Sequence, residues 1–178
     1  MERGYDQSTK ILHWVIVGLI AVEFVLAWTM PGVRRGASPT TLVNYHFSFG
    51  ILILIVMCVR LVWKLSHRSP AQLPGTPEWQ HIAAFATHSL LYFLLFLAPL
   101  AGWAWASGMG WGVTLFGVIP IPPIVTQGSV LGFLGRSMHS IFATGILILT
   151  GLHIFATLYH HYILRDTTLS RIIPSKRG

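Results

Sequence analysis

Charged residues are scarce in this sequence, and acidic residues are the scarcest. Only 10% of its 178 residues carry a charge, whereas soluble domains carry about 25%. So few charges cannot cover a surface that faces water, and 53% of the residues are apolar. The composition therefore excludes a soluble domain and indicates an integral membrane protein.

The charges that are present are mostly basic, with 12 Lys and Arg against 5 Asp and Glu. In a soluble protein this excess would suggest nucleic acid, but no basic stripe is combined with a nucleic-acid fold signature. The basic residues lie instead at the ends of apolar runs, as residues at a membrane surface do. We therefore expect membrane lipid, and no nucleic acid, among the partners.

Cysteine is nearly absent as well. Cys58 is the only one, so no intrachain disulfide can form. It lies inside an apolar run, where we expect it to be a small packing residue. The residues before the first apolar run do not resemble a signal peptide with a cleavage site, so we expect that run to remain as a span.

Four apolar runs reach the length of about 20 residues that a membrane helix needs. The predicted fold class is an all-α integral membrane protein, a four-transmembrane-helix bundle forming a single membrane domain over residues 1–178. Pro99 predicts a kink in the third span. Residues 107–136 contain "GVIPIPPIV", too rich in proline for a helix, and we expect them at the membrane interface or folded onto the bundle mouth. The spans cover about residues 11–30, 45–65, 83–106 and 137–163.

The distribution of Lys and Arg predicts the orientation, because cytoplasmic loops carry the excess of these residues. Nine lie on the side of the two termini and the loop between spans 2 and 3, and three lie on the other side. Both termini are therefore expected in the cytoplasm. The nine are Arg3, Lys10, Arg60, Lys64, Arg68, Arg165, Arg171, Lys176 and Arg177; the three are Arg34, Arg35 and Arg136.

The histidines fall at two depths. His139 and His153 are 14 residues apart, which is about 40° short of four helical turns and about 21 Å along the axis. They therefore share one face of span 4, near opposite sides of the bilayer. At the outer level His46 is available to pair with His139, and at the inner level His13 or His88 can pair with His153. Two such pairs are typical of b-type haem held between the helices of a bundle.

Each of these residues also has a plainer interpretation. A lone membrane histidine is often a hydrogen-bonded packing residue. Arg60 lies on the face of His46 and suits a haem propionate, or it is a flanking residue whose charge reaches the interface. Glu23 is either protonated, bonded to a neighbour or part of a proton route to a quinone. His160 is a neighbour of a propionate or quinone, or a histidine of the aromatic belt.

The chain resembles the bacterial di-haem cytochrome b561 proteins of the inner membrane. The resemblance implies a four-helix bundle with two b haems, the cytoplasmic one on His13 and His153 and the periplasmic one on His46 and His139. It makes His88 a neighbour of the inner haem or quinone and not a ligand. The segments that carry the resemblance are "ILHW", "HFSFGILILIVMCVRLVWK", "HSLLYFLLFLAPLAGW", "MHSIFATGILILTGLH" and "HHYILRDTTLSRIIP".

The same resemblance implies an oxidoreductase. Members of the family are linked to electron transfer with ubiquinone, and one is described as a superoxide:ubiquinone oxidoreductase. We therefore expect two haem b, a quinone and a small electron donor, with superoxide as the leading donor. Residues 107–136 depart from that member, and the outer side offers only Arg34, Arg35 and Arg136 to attract an anion.

Two other functions stay open at this point. A cytochrome b anchor subunit of a periplasmic dehydrogenase or hydrogenase would need a docking surface, which residues 107–136 offer. A histidine-lined channel or metal transporter would use the imidazoles as transient ligands. Homodimerisation is also left open.

Overall fold

Four long helices form the protein, whose computed structural model describes residues 4–32, 38–67, 70 and 75–174. Each helix is long and apolar enough to cross a membrane, which confirms the predicted all-α bundle. A short π-helix, His160–Leu164, continues the last of them. The helices are α1 Gln7–Thr29, α2 Thr41–Ser66, α3 Glu78–Gly108 and α4 Val130–Tyr159.

The helices begin several residues before the predicted spans, and polar residues cap three of the four starts. Asp6 accepts a hydrogen bond from the Thr9 backbone nitrogen at 2.9 Å. Ser129 accepts one from Gly132 in the same way at 3.2 Å. These caps satisfy backbone N–H groups that have no partner within the helix. Hydropathy marks only the apolar part of a helix, and the caps fix its true start.

The helices do not all pack against one another. α3 packs closely on α4, α1 on α2, and α2 on α3, whereas no described Cα atom of α4 lies within 8 Å of one in α1 or α2. The α3–α4 crossing is tight because a Cβ on Gly132 would lie 2.5 Å from the Cα of Gly108. Small residues at such a crossing let two backbones approach. The backbones of α4 and the α1–α2 pair thus lie further apart, with a gap between them that buried side chains such as Ile53 and Ile146 fill at mid-height.

A small hairpin lies over one end of this bundle. Strands β1 Thr114–Leu115 and β2 Ile119–Pro120 pair antiparallel. The hairpin is tied to α2 through the fully buried Ser48, which donates to the Thr114 carbonyl at 3.2 Å and accepts from the Phe116 nitrogen at 2.8 Å. Residues 107–136 thus fold onto the bundle mouth, one of the two positions that we expected. We call this the hairpin end and the opposite one the terminal end.

The remaining expectations about the fold have mixed outcomes. Cys58 is exposed on α2, so the expectation of a packed residue was wrong; on a membrane helix an apolar thiol can face lipid. Pro99 lies inside α3, which continues on both sides of it. That the chain forms one domain stays a prediction. Of the residues that set the orientation, six lie outside the described residues: Arg3, Arg34, Arg35, Arg68, Lys176 and Arg177.

Candidate functional site

At the hairpin end, His46 from α2 lies opposite His139 from α4. Their ring centroids are 5.8 Å apart and the ring planes are perpendicular, at 90°. Two imidazoles that ligate one metal ion from opposite sides, each about 2 Å from it, have centroids about 6 Å apart. The separation therefore suits two imidazoles that would hold one metal ion between α2 and α4.

His139 has a defined tautomer. Its Nδ1 atom lies 2.8 Å from the carbonyl oxygen of Ala98 in α3. Because a carbonyl can only accept, Nδ1 carries the hydrogen and Nε2 keeps its lone pair for a metal. Gly102 makes this approach possible, since a Cβ there would lie 3.0 Å from the same Nδ1 atom.

His46 also has a neighbour at Nδ1. There the partner is a carboxylate: Oε2 of Glu23, which lies buried in α1, contacts the Nδ1 atom of His46. The other carboxylate oxygen, Oε1, is buried without a hydrogen-bond partner among the described residues. Of the three interpretations of Glu23 drawn from the sequence, the contact with His46 supports a carboxyl group paired with a neighbour.

Two cavities adjoin this histidine pair. The larger has a volume of about 460 Å³, within the usual range of about 300–1,000 Å³ for ligand sites. The smaller, of about 100 Å³, is lined by both histidines and by Glu23 and Gly50. Gly50 lines both, and with no side chain it leaves room near His46. The larger cavity is also lined by Trp28, Trp103, Trp105, Trp111 and Arg136.

At the terminal end, three histidines surround one another. The ring centroid of His153 is 6.3 Å from that of His13 and 5.1 Å from that of His88. The first distance matches two ligands of one metal ion, about 6 Å, and the second is shorter than that arrangement needs. The geometry thus supports the pair of His13 with His153 and leaves His88 as a close neighbour.

Arg60 joins this cluster from α2. Its Nη1 atom lies 3.2 Å from Nδ1 of His13, and its Nε atom donates to the Tyr92 hydroxyl at 2.9 Å. A guanidinium only donates, so Nδ1 of His13 accepts here and Nε2 of the neutral ring carries the hydrogen. Ligation through Nε2 therefore requires Arg60 to leave Nδ1, and a propionate is a suitable new partner for it.

The two histidine levels are separated by a buried apolar layer. Ile146 lies seven residues from both His139 and His153, so it is on the same face of α4, halfway between them. It is buried in one cluster with Ile53, Met57 and other apolar residues. The chain thus keeps the two pairs apart with a layer from which water is excluded.

His160 stands apart from both pairs. It follows the last residue of α4, and its Nδ1 atom lies 2.5 Å from Oδ2 of Asp166. Burial alone would raise the pKa of Asp166, but the hydrogen bonds from His160 and Thr168 together hold it below its ordinary value. His160 therefore anchors the segment that follows α4, and its proximity to haem or quinone stays a prediction.

The sequence alone did not indicate several residues of the site. Ala98 acts through its backbone carbonyl, which no side-chain pattern reveals. Tyr92 bonds Arg60, and its ring also lies 4.7 Å from the ammonium of Lys64. Tyr92 lies four residues after His88 on α3, so a search for polar groups on the His88 face would have found it.

Among the described residues, no group of three or more His, Cys, Asp and Glu is arranged to hold a metal ion by itself. The pairs of imidazoles are instead suited to a metal whose other ligands come from a macrocycle. The donor set of the chain therefore fits haem b.

Comparisons with known proteins agree with this geometry. Residues 4–175 match the model of the family described as prokaryotic cytochrome b561. The chain is 31% identical to Cytochrome b561 homolog 1 of Escherichia coli (strain K12), covering 97% of this chain and 98% of that protein. It is also 31% identical to the Probable superoxide oxidase CybB of Yersinia pestis, over 100% of both chains. Cytochrome b562 of Cereibacter sphaeroides is 27% identical, over 97% of this chain and 96% of that one. The chain therefore belongs to the prokaryotic cytochrome b561 family.

Proposed function

We propose that the chain transfers electrons from a small donor at the periplasmic face of the bacterial inner membrane to ubiquinone, using two b haems. The observation that carries the proposal is the placement of two imidazole pairs, at two levels, across the gap between α4 and the α1–α2 pair. When bound between two histidines, haem b supplies one-electron redox chemistry. The family supports the coarser statement, a multi-pass membrane protein of electron transport.

We assign His46 and His139 to the haem at the hairpin end, and His13 and His153 to the haem at the terminal end. The centroid separations of 5.8 and 6.3 Å support both pairs. The Ala98 carbonyl supports His139 further, because it leaves Nε2 as the ligating atom. His88 then lies beside the second haem without binding its iron.

The orientation is part of the proposal. Nine of the 12 Lys and Arg residues belong to the side of the termini, which puts that side in the cytoplasm. The hairpin end then faces the periplasm. A donor from the periplasm would meet the His46–His139 level first.

Superoxide is the donor that we propose. The cavity of about 460 Å³ at the hairpin end includes Arg136, whose positive charge would attract a small anion. The name of the Yersinia pestis relative, Probable superoxide oxidase, supports the same donor. The reaction balances: two superoxide anions become two dioxygen molecules, and their two electrons with two protons convert ubiquinone to ubiquinol.

The test is a haem count followed by an assay on the purified chain. We expect two haem b per chain, absorption bands of reduced b-type haem, and ubiquinol formation that depends on superoxide. His46→Ala should lose one haem and the superoxide reaction together. A colourless protein would contradict the proposal and favour a channel or metal transporter.

One observation favours the second candidate, an anchor subunit for a periplasmic dehydrogenase or hydrogenase. The tip of the hairpin exposes apolar side chains: Val118 is 80% exposed and Ile119 is 54% exposed. Apolar surface of this kind suits docking to a protein. Co-purification of a large periplasmic enzyme, lost in Val118→Ser, would support the anchor role. Superoxide oxidation by the isolated chain would count against it.

A further inference from the structure

Glu23 is an acidic residue in the middle of a membrane helix. Of the acidic residues that the structure describes, only Glu23 and Glu78 lie within the four long helices, and Glu78 is in the first turn of α3. A carboxyl group at membrane depth is costly, and such groups usually have a functional partner. For Glu23 the partner is His46, whose Nδ1 atom contacts its Oε2 atom.

The contact involves Nδ1 of His46, the ring nitrogen that would stay free if the metal bound to Nε2. An imidazole that ligates through Nε2 carries its hydrogen on Nδ1, and a carboxylate is a strong acceptor for that hydrogen. The acceptor fixes the tautomer and the orientation of the ring. It also makes the ring a stronger electron donor, which stabilises the oxidised form of the metal.

Two other proposed ligands, His139 and His13, have different neighbours. Nδ1 of His139 meets the neutral carbonyl of Ala98 at 2.8 Å. At the terminal end, the charged group beside His13 is the guanidinium of Arg60, which lies 3.2 Å from Nδ1 and would turn to a propionate if Nε2 of His13 bound the metal. The two levels thus have charges of opposite sign beside a proposed ligand, in a region of low dielectric where such charges act strongly.

We propose that Glu23 is a positioning residue for His46: its carboxylate accepts the Nδ1 hydrogen and lowers the reduction potential at the hairpin end below that at the terminal end. The inference rests on the proposed function, in which His46 holds a haem. A lower potential at the hairpin end makes transfer of an electron from the hairpin end to the terminal end favourable. Glu23 would thus give the protein a direction, from the proposed periplasmic donor inward.

The test is a spectroscopic redox titration of the purified haem protein and of two matched variants. Glu23→Gln keeps the size of the side chain and removes its charge, and we expect the lower of two potentials to move upward. Glu78→Gln removes the same charge at an exposed position and should leave both potentials unchanged. The component that moves should be the one that is missing in His46→Ala.

Three results would separate the possible failures. Two haems with unchanged potentials in Glu23→Gln would overturn the role of Glu23 and leave the proposed function intact. Movement of the component that is lost in His13→Ala would overturn it as well. Absence of haem from the unaltered protein would instead contradict the proposed function itself.

A second variant keeps the test open if Glu23→Gln does not accumulate. Glu23→Asp retains the charge and shortens the side chain, so the same component should move in the same direction by a smaller amount. A merely structural role of Glu23 would reduce haem content or stability without moving a potential. Unchanged potentials in Glu23→Asp would therefore also count against the inference.

Discussion

His139 of α4 donates the hydrogen of its Nδ1 atom to the carbonyl oxygen of Ala98 in α3, across 2.8 Å. The bond attaches the His139 ring to α3, the helix on which α4 packs. It therefore holds this proposed haem ligand in place independently of the position of His46. This relationship depends on a glycine, and the first prediction concerns that glycine.

Gly102→Ala should weaken the haem at the hairpin end. A Cβ at this position would lie 3.0 Å from Nδ1 and 3.2 Å from Cε1 of His139, so the ring must shift and its bond to Ala98 must lengthen. Loss of such a supporting bond costs about 10–100-fold in metal affinity. We expect one haem to be lost at low haem concentration, measured by absorbance per chain. Gly18→Ala, at an exposed helical glycine with open space around it, should keep both haems.

His88→Ala should retain two haems, whereas His13→Ala should retain one. The reason is the separation from His153, 6.3 Å for His13 and 5.1 Å for His88. The measurement is haem content together with the low-spin ferric signals in electron paramagnetic resonance. If His88→Ala lost the haem at the terminal end and His13→Ala kept it, our assignment of the ligand would be wrong.

Arg60→Gln should lower the reduction potential of the haem at the terminal end. The guanidinium lies beside His13, and a positive charge there favours the form with the extra electron. Arg60→Lys keeps the charge and should lie closer to the unaltered protein in a redox titration.

Tyr92→Phe is the control for this prediction, because it removes only the hydroxyl that accepts from Arg60. It should change the potential less than Arg60→Gln does. An equal change in both variants would mean that packing around the arginine, and not its charge, sets the potential.

Asp166→Asn should destabilise the segment after α4 at neutral pH and have little effect in acid. The pKa of Asp166 is lowered from 3.8 in the folded chain, where bonds from His160 and Thr168 outweigh the effect of burial. Its contribution is therefore complete above pH 3.8 and is lost as the pH falls through the lowered value. Because the pair is only partly buried, we expect a contribution of at most about 1 kcal/mol.

The measurement is the melting temperature in detergent of the unaltered chain and of Asp166→Asn, at pH 7 and at pH 3. The difference between the two proteins should shrink at the lower pH. Glu78→Gln, at an exposed position outside this contact, should show no comparable difference at pH 7. A difference for Asp166→Asn that is as large at pH 3 as at pH 7 would contradict the assigned role of the carboxylate.

Much of the bundle could be predicted from the sequence, because the length of the apolar runs and the spacing of the histidines both follow the regular geometry of a helix. Long apolar runs give the four helices, and the spacing of 14 residues puts His139 and His153 on one face of α4. The depth of each histidine then predicts the pair with His46, which the ring separation supports. At the other level, depth leaves both His13 and His88 open.

The rest depends on contacts between elements that no local pattern encodes. The bond of His139 to Ala98 uses a backbone atom of another helix. The two-residue strands of the hairpin are too short for a hydropathy pattern, and their turn has positive φ at Phe116, 49°, as well as at Gly117, 77°. Phenylalanine is an unusual residue for that conformation. The contact between Glu23 and His46 follows from how α1 and α2 pack, which the sequence does not give.

The gap beside α4 has a consequence for biogenesis. Within the described residues the Cα atoms of α4 come within 8 Å of α3 but not of α1 or α2. α4 meets the first two helices through side chains such as Ile146, and the two proposed haems would add further ties between them. Because a group that binds only the finished bundle stabilises it by mass action, we expect cofactor insertion to be the closing step of assembly. Cells short of haem would then hold an incompletely joined chain, open to quality-control proteases, and the abundance of the protein would follow the haem supply.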